Sequence, residues 1–456
     1  MSKRSKSIPR KLSAPENENS VLNSRSVILS AFSIVIALVV GLVAQGLIHL
    51  IAFITNLSFY QRFSWETVSP AGNTLGLLVI LVPVVGGLIV GFMAFWGHQA
   101  IRGHGIPEAM EVILTKESRI HPNLTWLKPL SAAISIGTGG PFGAEGPIIA
   151  TGGAIGSVVG QWIKFTAEER KILLAAGAAA GMAATFGVCV SAALLAVELL
   201  LFEFHPRSII PVAFASATAL ALRIHLMSAA PMFPMADITA PSGRALALYT
   251  LIGAVAGLFA IGITKAVYAV EDNFERLPLH WKWWPALGGI AVGIVGLIAP
   301  LTLGVGYDNI EHLVTGDFSI KVILTLTFFK FVSWCLSLGS GTSGGTLAPL
   351  FTIGGGLGAL LTSVLSWVFP MVSLDLRIGA LVGMASLFAG ASRAFFASVV
   401  FAFELTHQPL GLLPLFAGCA GSYLVSCLFM RNTIMTEKIT RRGVKVPDGY
   451  LVHHHP

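Results

Sequence analysis

Long uncharged apolar stretches are the feature that most constrains how this chain can fold. Five of them, residues 27–54, 74–97, 245–264, 284–306 and 409–430, could cross a bilayer as a helix, which takes about 20 residues. Other apolar stretches are shorter or are interrupted by charges, glycines and prolines, which indicates half-helices or re-entrant segments. Only 11% of the residues are charged, against about 25% in soluble domains. The sequence therefore predicts an all-α polytopic membrane protein.

Basic residues cluster at the two ends of the chain. Residues 1–25 carry six Lys and Arg residues against two Glu, and residues 438–445 carry four more. By the positive-inside rule, both termini are predicted to be cytoplasmic, with a polar segment at 1–25 and a tail at 444–456. Membrane topology and contact with lipid headgroups explain the modest net charge of +7, so nucleic-acid binding is not predicted.

The sequence predicts no metal or cofactor. Its four cysteines lie in apolar segments without CxxC spacing, and its twelve histidines contain no HExxH. Isolated cysteines of this kind are typical of small core residues. Three histidines at 453–455 form a short run near the chain end, to which we assign no metal role.

The chain repeats itself. The segment GAEGPIIATGGAIG, which begins at Gly143, aligns without a gap with GTLAPLFTIGGGLG, which begins at Gly345. Downstream, LLAVELL with Glu198 and VFAFELT with Glu404 follow at similar distances. Internal repeats in a membrane chain are typical of transporters, whose binding sites form where interrupted helices meet near the bilayer midplane.

Each G-x-x-x-P element is predicted to begin a helix inside the protein. Proline is tolerated in the first helical turn, and glycine lets the backbone turn closely before it. The first amides of a helix lack intrahelical partners and the helix dipole adds positive potential, so two such starts that converge would bind an anion. Glu145 stands at one start, where its carboxylate can occupy the place of a permeating anion.

Glu145 could also be a first-turn carboxylate that only stabilises its helix. A charge within the membrane costs about 2.5 to 3.5 kcal/mol, whereas the helix dipole returns roughly 0.3 to 1 kcal/mol. The balance favours a functional role for Glu145.

Three motifs together resemble the CLC family of chloride channels and proton-coupled chloride antiporters. GHGIPEAM at 103–110, GAEGP at 143–147 and GTLAP at 345–349 occur in the family's order and spacing. The resemblance implies a transmembrane domain at 26–443 in which two inverted repeats of tilted and broken helices, about 26–225 and 243–443, form the pore. It also implies a homodimer with one pore per subunit in a bacterial inner membrane. The family's cytoplasmic CBS domains are absent from these 456 residues.

The resemblance assigns roles to individual residues. Glu145 is expected to be the external gate, which competes with chloride or similar anions and takes up protons from outside. The expected anion-binding positions lie in the three motifs and near the chain end: His104, Gly105, Ile106, Gly146, Thr346, Leu347 and Met435. The amides of Thr346 and Leu347 are expected to hold the central anion, and those around Glu145 and Gly146 an outer one.

Four positions depart from the family pattern. His104 replaces the usual serine, and Leu347 replaces a phenylalanine. Met435 falls at the position of the pore tyrosine and has no hydrogen to donate. Leu199 falls at the position of the intracellular proton-accepting glutamate of many antiporters. Glu203, four residues later, either substitutes for that glutamate or is a solvated helix end.

Three further charges are expected to be structural. Glu198 and Glu404 occupy equivalent repeat positions, so we predict that they bind backbone or basic groups and do not carry protons. Arg393 is expected to pair with carbonyls or a carboxylate at a helix break in the second repeat.

Passive anion transport through a glutamate-gated channel is the predicted function, because Leu199 cannot carry a proton. The alternative is a proton-coupled chloride antiporter. A remote alternative is a rhomboid-like intramembrane serine protease, since GTSG at 341–344 would place a nucleophile at Ser343. Such a protease needs a histidine base on a later helix, and only His407 precedes the tail.

Overall fold

The computed structural model describes residues 24–447. Most of the predicted polar segment 1–25 and the end of the tail, 448–456, lie outside the described residues, as do the histidines at 453–455. Within 24–447 the chain is helical and contains no named strand. The predicted all-α polytopic fold is therefore confirmed.

The described part of the chain contains seventeen α-helices. In chain order they are α1 Ser24–Tyr60, α2 Leu81–Trp96, α3 Ile106–Thr115, α4 Leu124–Gly137, α5 Glu145–Trp162, α6 Ala167–Phe186, α7 Val190–Ala196, α8 Pro206–Leu226, α9 Gly243–Glu275, α10 Trp284–Ile298, α11 Tyr307–Thr315, α12 Ile320–Gly339, α13 Leu347–Val368, α14 Leu376–Ser392, α15 Phe395–Thr406, α16 Leu412–Phe429 and α17 Glu437–Arg441. A π-helical stretch, Val197–Leu201, continues α7.

Eight helices of the described residues are long and apolar enough to span a membrane. Five of them correspond to the apolar stretches recognised in the sequence, and the other three are α8, α12 and α13. These three were missed because charges interrupt α8 and α12 and a glycine-rich centre interrupts α13. The stretch 284–306 is an α-helix only to Ile298, since Pro300 follows closely and disfavours helical geometry in the residue before it.

The two repeated motifs begin helices in the same way. Helix α5 begins at Glu145 and α13 begins at Leu347, and in each the proline, Pro147 or Pro349, is the third helical residue. At this position the missing N–H is one that has no intrahelical partner in any case. Both predicted helix starts are therefore present, and Glu145 and Leu347 occupy equivalent positions.

Glycines let each of these helices pack closely on the next one. An ideal Cβ at Gly156 would lie 2.0 Å from the carbonyl oxygen of Leu173 on α6, and one at Gly358 would lie 2.0 Å from that of Gly379 on α14. Close backbone approach through small residues is how membrane helices gain packing energy where lipid supplies little hydrophobic driving force. The paired packing of α5 on α6 and of α13 on α14 holds both helix starts in place.

Each half of the chain also contributes a carboxylate that binds backbone amides of the other half. Glu198 accepts hydrogen bonds from the amides of Phe396 and Ala397 at the start of α15, at 3.0 and 2.9 Å. Glu404 accepts from the first amides around α7, those of Cys189, Val190 and Ser191 at 2.9 to 3.1 Å, and from the Ser191 hydroxyl. Each carboxylate thus caps a helix of the other half, as the predicted structural role requires.

Removal of the Glu404 carboxylate is expected to destabilise the fold. Glu404→Ala leaves three amides at the start of α7 without their acceptor, and we expect a loss of about 1.5 to 3 kcal/mol in the free energy of unfolding. Glu404→Gln, which keeps an acceptor oxygen, should lose less. Thermal unfolding of the purified protein in detergent measures the effect, with Glu311→Ala on the exposed surface of α11 as the control. Equal melting temperatures for Glu404→Ala and the control would contradict the capping role.

Candidate functional site

Three loop segments that precede helices meet in the buried interior of the protein. The amide of Gly345 donates to the carbonyl oxygen of Gly143 at 2.9 Å, and the pair forms an isolated antiparallel bridge. The amide of Gly103 donates to the carbonyl oxygen of Thr342 at 2.9 Å, next to a parallel bridge between Gly103 and Ser343. The three predicted motifs, far apart in sequence, therefore converge on one site.

The Glu145 side chain lies across this site. Its Oε1 accepts hydrogen bonds from the amides of Leu347 at 2.6 Å and Ala348 at 3.0 Å, which are the first amides of α13. The side chain is fully buried, and Oε2 has no partner among the described residues. Because Leu347 is the repeat counterpart of Glu145, the carboxylate at one helix start binds the first amides of the other, where the helix dipole attracts negative charge.

Ala348 was not among the predicted site residues. The prediction named the amides of Thr346 and Leu347, whereas the carboxylate binds those of Leu347 and Ala348. Thr346 is the residue just before α13, and its buried Oγ1 has no partner among the described residues. The equivalence of Ala348 with Gly146, which the resemblance did name, is the signal that could have identified it.

Glycine is required at the two positions that surround the carboxylate. An ideal Cβ at Gly143 would lie 1.7 Å from Oε2 of Glu145, and one at Gly345 would lie 2.6 Å from its Oε1. Both distances are far below contact distance, so a side chain at either residue would displace the carboxylate from the amides of α13. The glycines of the two motifs therefore serve the site itself as well as the turn before each helix.

Two buried lysines, which the prediction missed, support the segments around the site. Lys128 donates to the carbonyl oxygens of Ile101 and Gly103 at 2.7 and 2.8 Å. Lys330 donates to those of Thr302, Gly304 and Val305 at 2.8 to 3.2 Å.

These lysines are repeat counterparts. Lys128 precedes Gly143 by the same number of residues as Lys330 precedes Gly345, so the repeat alignment, continued upstream, would have identified them. Each ammonium group is satisfied by carbonyl oxygens, which is how buried cations are tolerated. Both place a positive charge beside the convergence point.

Tyr307 is a further residue at the site without a signal in the sequence. Its hydroxyl accepts a hydrogen bond at 3.4 Å from the amide of Ala144, the residue before Glu145. Its ring packs edge-on against Phe186. Tyr307 comes from the second half of the chain, where it is the first residue of α11, and its hydroxyl reaches the residue just before α5.

His104 lies between the site and a polar cavity. The side chain is only 6% exposed, and its Nδ1 has no partner among the described residues. The imidazole lines a cavity of about 520 Å³, which we call the polar cavity.

Gly105 follows His104 with φ of +90°, a conformation that favours glycine, and its amide donates to Oε2 of Glu108 at 2.9 Å. Ile106 then begins α3.

Met435 is fully buried in the apolar core. Its backbone amide donates to the Thr433 hydroxyl at 3.2 Å, and its neighbour Ile434 lines the polar cavity together with His104. The structure therefore places Met435 beside the cavity, with a side chain that offers no hydrogen-bond donor.

The two carboxylates that lie closest to Leu199 in the sequence, Glu198 and Glu203, both have partners among the described residues. Leu199 is buried in the π-helical stretch and lines a second cavity of about 720 Å³. Glu203 binds Lys171 at 3.5 Å and also the hydroxyl of Ser208, and its side chain is 14% exposed. Glu203 is therefore half-buried and paired with Lys171 and Ser208, and it is not a freely solvated helix end.

Arg393 binds carbonyl oxygens at a helix break, as predicted. It ends α14 with φ of +60° and donates to the carbonyl oxygens of Ser426, Met430 and Arg431. These contacts tie the end of α16 to the break between α14 and α15.

The geometry around Ser343 does not support the protease alternative. Ser343 is fully buried, and its Oγ accepts a hydrogen bond at 3.1 Å from the hydroxyl of Ser131. His407 ends α15 in an exposed, left-handed conformation with φ of +49°. Neither residue contributes to a described contact that would join a nucleophile to a base.

Comparison with known sequences identifies relatives along most of the chain. A family model described as "Voltage gated chloride channel" matches residues 85–427. The H(+)/Cl(-) exchange transporter ClcA of Vibrio parahaemolyticus is 27% identical over 392 residues, which cover 82% of this chain and 82% of the relative. The protein of the same name from Salmonella typhimurium is 27% identical over 360 residues, which cover 75% of each.

Solved structures share the fold. A slow cyanobacterial Cl-/H+ antiporter superposes with a TM-score of 0.81 at 23% identity and covers 92% of this chain and 98% of its own. A CLC-type fluoride/proton antiporter superposes with a TM-score of 0.70 at 21% identity, and the match covers 88% of this chain and 96% of the antiporter chain. The family model includes all three motifs that converge around Glu145, and the chain therefore belongs to the CLC family of voltage gated chloride channels.

Proposed function

We propose that this protein exchanges chloride for protons across a bacterial inner membrane. The observation that carries the proposal is the Glu145 carboxylate, which is buried, binds the first amides of α13 and keeps Oε2 without a partner. Such a group can leave the amides to a chloride ion when it takes up a proton, because protonation removes the charge that the helix start attracts. Anion movement and proton movement then share one side chain.

The relatives support the antiporter over the channel. The similar proteins from Vibrio and Salmonella are named H(+)/Cl(-) exchange transporters. The channel interpretation rested on Leu199, which cannot carry a proton. The absence of an acid at position 199 removes one route for protons but leaves others. The names of the relatives are therefore stronger support for the antiporter than Leu199 is for the channel. The CLC family consists of transport proteins, and we propose no enzymatic activity.

The remaining proposals concern assembly and orientation. The resemblance implies a homodimer in which each subunit has its own pore, and the outer faces of α15 and α16 carry exposed apolar side chains, among them Phe396 and Leu424. The basic residues at both chain ends favour cytoplasmic termini. Domain boundaries at about 26–225 and 243–443 follow from the sequence repeat, and metal or cofactor is not required by this mechanism.

Reconstituted protein is expected to couple the two ions. With a chloride gradient across proteoliposomes and no initial pH difference, chloride movement should drive protons in the opposite direction against the pH gradient that it creates. A pH-sensitive dye and a chloride electrode measure the two fluxes together. Chloride flux without any proton movement would contradict antiport and support the channel, the function that Leu199 favours.

A further inference from the structure

The polar cavity next to the site contains many ionisable groups. Its lining includes Arg102, Glu108, Glu111, Glu271, Lys438 and Arg442, beside His104. Several of these are paired, for example Lys438 with Glu108 at 3.3 Å, and Arg442 with Glu111. A cavity of about 520 Å³ with such walls is polar and large enough to hold water. Protons can therefore reach the imidazole of His104 through it.

His104 and Glu145 stand out among the buried polar groups. Within residues 24–447, ten buried side-chain nitrogen or oxygen atoms have no hydrogen-bond partner. Of these, only Nδ1 of His104 and Oε2 of Glu145 belong to an imidazole or a carboxylate, the side chains that most often act as proton donors and acceptors. A buried polar atom without a partner in the protein is costly, so each of these two atoms needs a further partner such as water or a transported ion. Both atoms belong to segments of the same site.

The two groups are joined through one point of close backbone contact. An ideal Cβ at Gly146, the residue after Glu145, would lie 2.0 Å from the carbonyl oxygen of His104 and 3.1 Å from Cα of Gly345. The segments that carry His104, Glu145 and Thr346 therefore touch there. The Thr346 hydroxyl, which can both accept and donate, is also buried without a partner.

The other candidate carriers are already engaged. Both oxygens of Glu198 bind amides of α15, and Glu203 is held by Lys171 and Ser208. Leu199 has no ionisable group. Among the described residues around these positions, the imidazole of His104 is the group that combines an unsatisfied nitrogen with access to a polar cavity.

We propose that His104 passes protons between the polar cavity and Glu145. This inference rests on the proposed antiport. One ring nitrogen takes a proton from cavity water, which gives an imidazolium ion. The other nitrogen then releases a proton toward Oε2 of Glu145, directly or through water or the Thr346 hydroxyl, so that the ring returns to the neutral form and the carboxylate becomes a carboxylic acid. The reverse sequence delivers a proton to the cavity.

Charged groups on three elements face the imidazole. Burial has the largest effect and lowers the pKa of the imidazole to about 4; Glu108 on α3 raises this pKa, whereas Lys438 on α17 and Lys128 on α4 lower it further. On α9, Tyr268 and Glu271 line the same cavity. The ring is therefore neutral at rest, and it is a cation only while a proton is in transit.

The test compares proton flux with chloride flux in proteoliposomes. His104→Asn keeps an amide near the position of Nδ1 but cannot carry a proton at neutral pH. We expect the ratio of protons to chloride to fall by about a hundredfold or more, in line with the usual contribution of a positioned proton-transfer group. Glu203→Gln is the matched control and should leave the ratio unchanged, since Glu203 is engaged by Lys171 and Ser208.

Chemical rescue separates proton transfer from a structural role. His104→Ala leaves space that opens on the polar cavity, and 4-methylimidazole added to the buffer should restore proton flux there. Pyrazole, which has a similar shape but is not protonated near neutral pH, should not. The inference would be overturned by a normal ratio of proton to chloride flux in His104→Asn, or by a reduced ratio in Glu203→Gln alone. Wild-type protein that moves no protons would instead overturn the proposed antiport itself.

Discussion

Glu145→Gln is expected to abolish proton transport while chloride transport continues. Glutamine has nearly the same shape as the carboxylate but is neutral at every pH, so it neither competes as an anion for the amides of Leu347 and Ala348 nor carries a proton. Proton flux should fall by roughly a hundredfold or more, the range lost with an essential proton-transfer group. Chloride flux at neutral pH should be equal or faster and should lose its activation by acid.

Simultaneous recording of both fluxes between acidic and neutral pH tests this expectation. Glu311→Gln makes the same chemical change on the exposed surface of α11 and should behave like the wild type. Chloride flux that is still activated by acid in Glu145→Gln would show that another group gates the pore. Persistent proton flux would remove Glu145 from the proton pathway.

Gly146→Ala is expected to be the most disruptive small substitution at the site. Its Cβ would lie 2.0 Å from the backbone oxygen of His104, and backbone cannot move aside as a flexible side chain can. Overpacking of this kind costs about 1 to 3 kcal/mol. Because the strain falls where the first and second halves of the chain meet, transport should be lost even in protein that remains folded.

The matched control for Gly146→Ala is Gly262→Ala on α9. A Cβ at Gly262 would meet no atom within 4 Å, and alanine favours a helix over glycine by roughly 0.5 to 1 kcal/mol. The control should therefore melt at the same or a higher temperature and transport normally. Thermal unfolding in detergent and chloride efflux from proteoliposomes check both variants. A transport-competent Gly146→Ala protein of normal stability would contradict the close contact with His104.

Local features of the sequence predicted the helix starts. Proline at the third helical position and glycine before it act through the backbone of a few neighbouring residues, so α5 and α13 could be anticipated at Glu145 and Leu347. The repeat alignment also contained the signal for Lys128 and Lys330, which lie at matching positions upstream. Long uncharged stretches identified five of the eight candidate spans, because their length and apolarity are properties of a single segment.

What the sequence determined by itself is therefore the membrane class, the repeat and a helix start with a carboxylate at Glu145. Only the tertiary structure decided where that carboxylate binds, since the amides of Leu347 and Ala348 belong to the other half of the chain. The tertiary structure also decided that Glu198 and Glu404 each bind amides of the other half of the chain, and that His104 is buried beside the polar cavity. Helix starts depend on local backbone preferences, whereas the partner of a buried polar group depends on how distant helices pack, which no local pattern encodes.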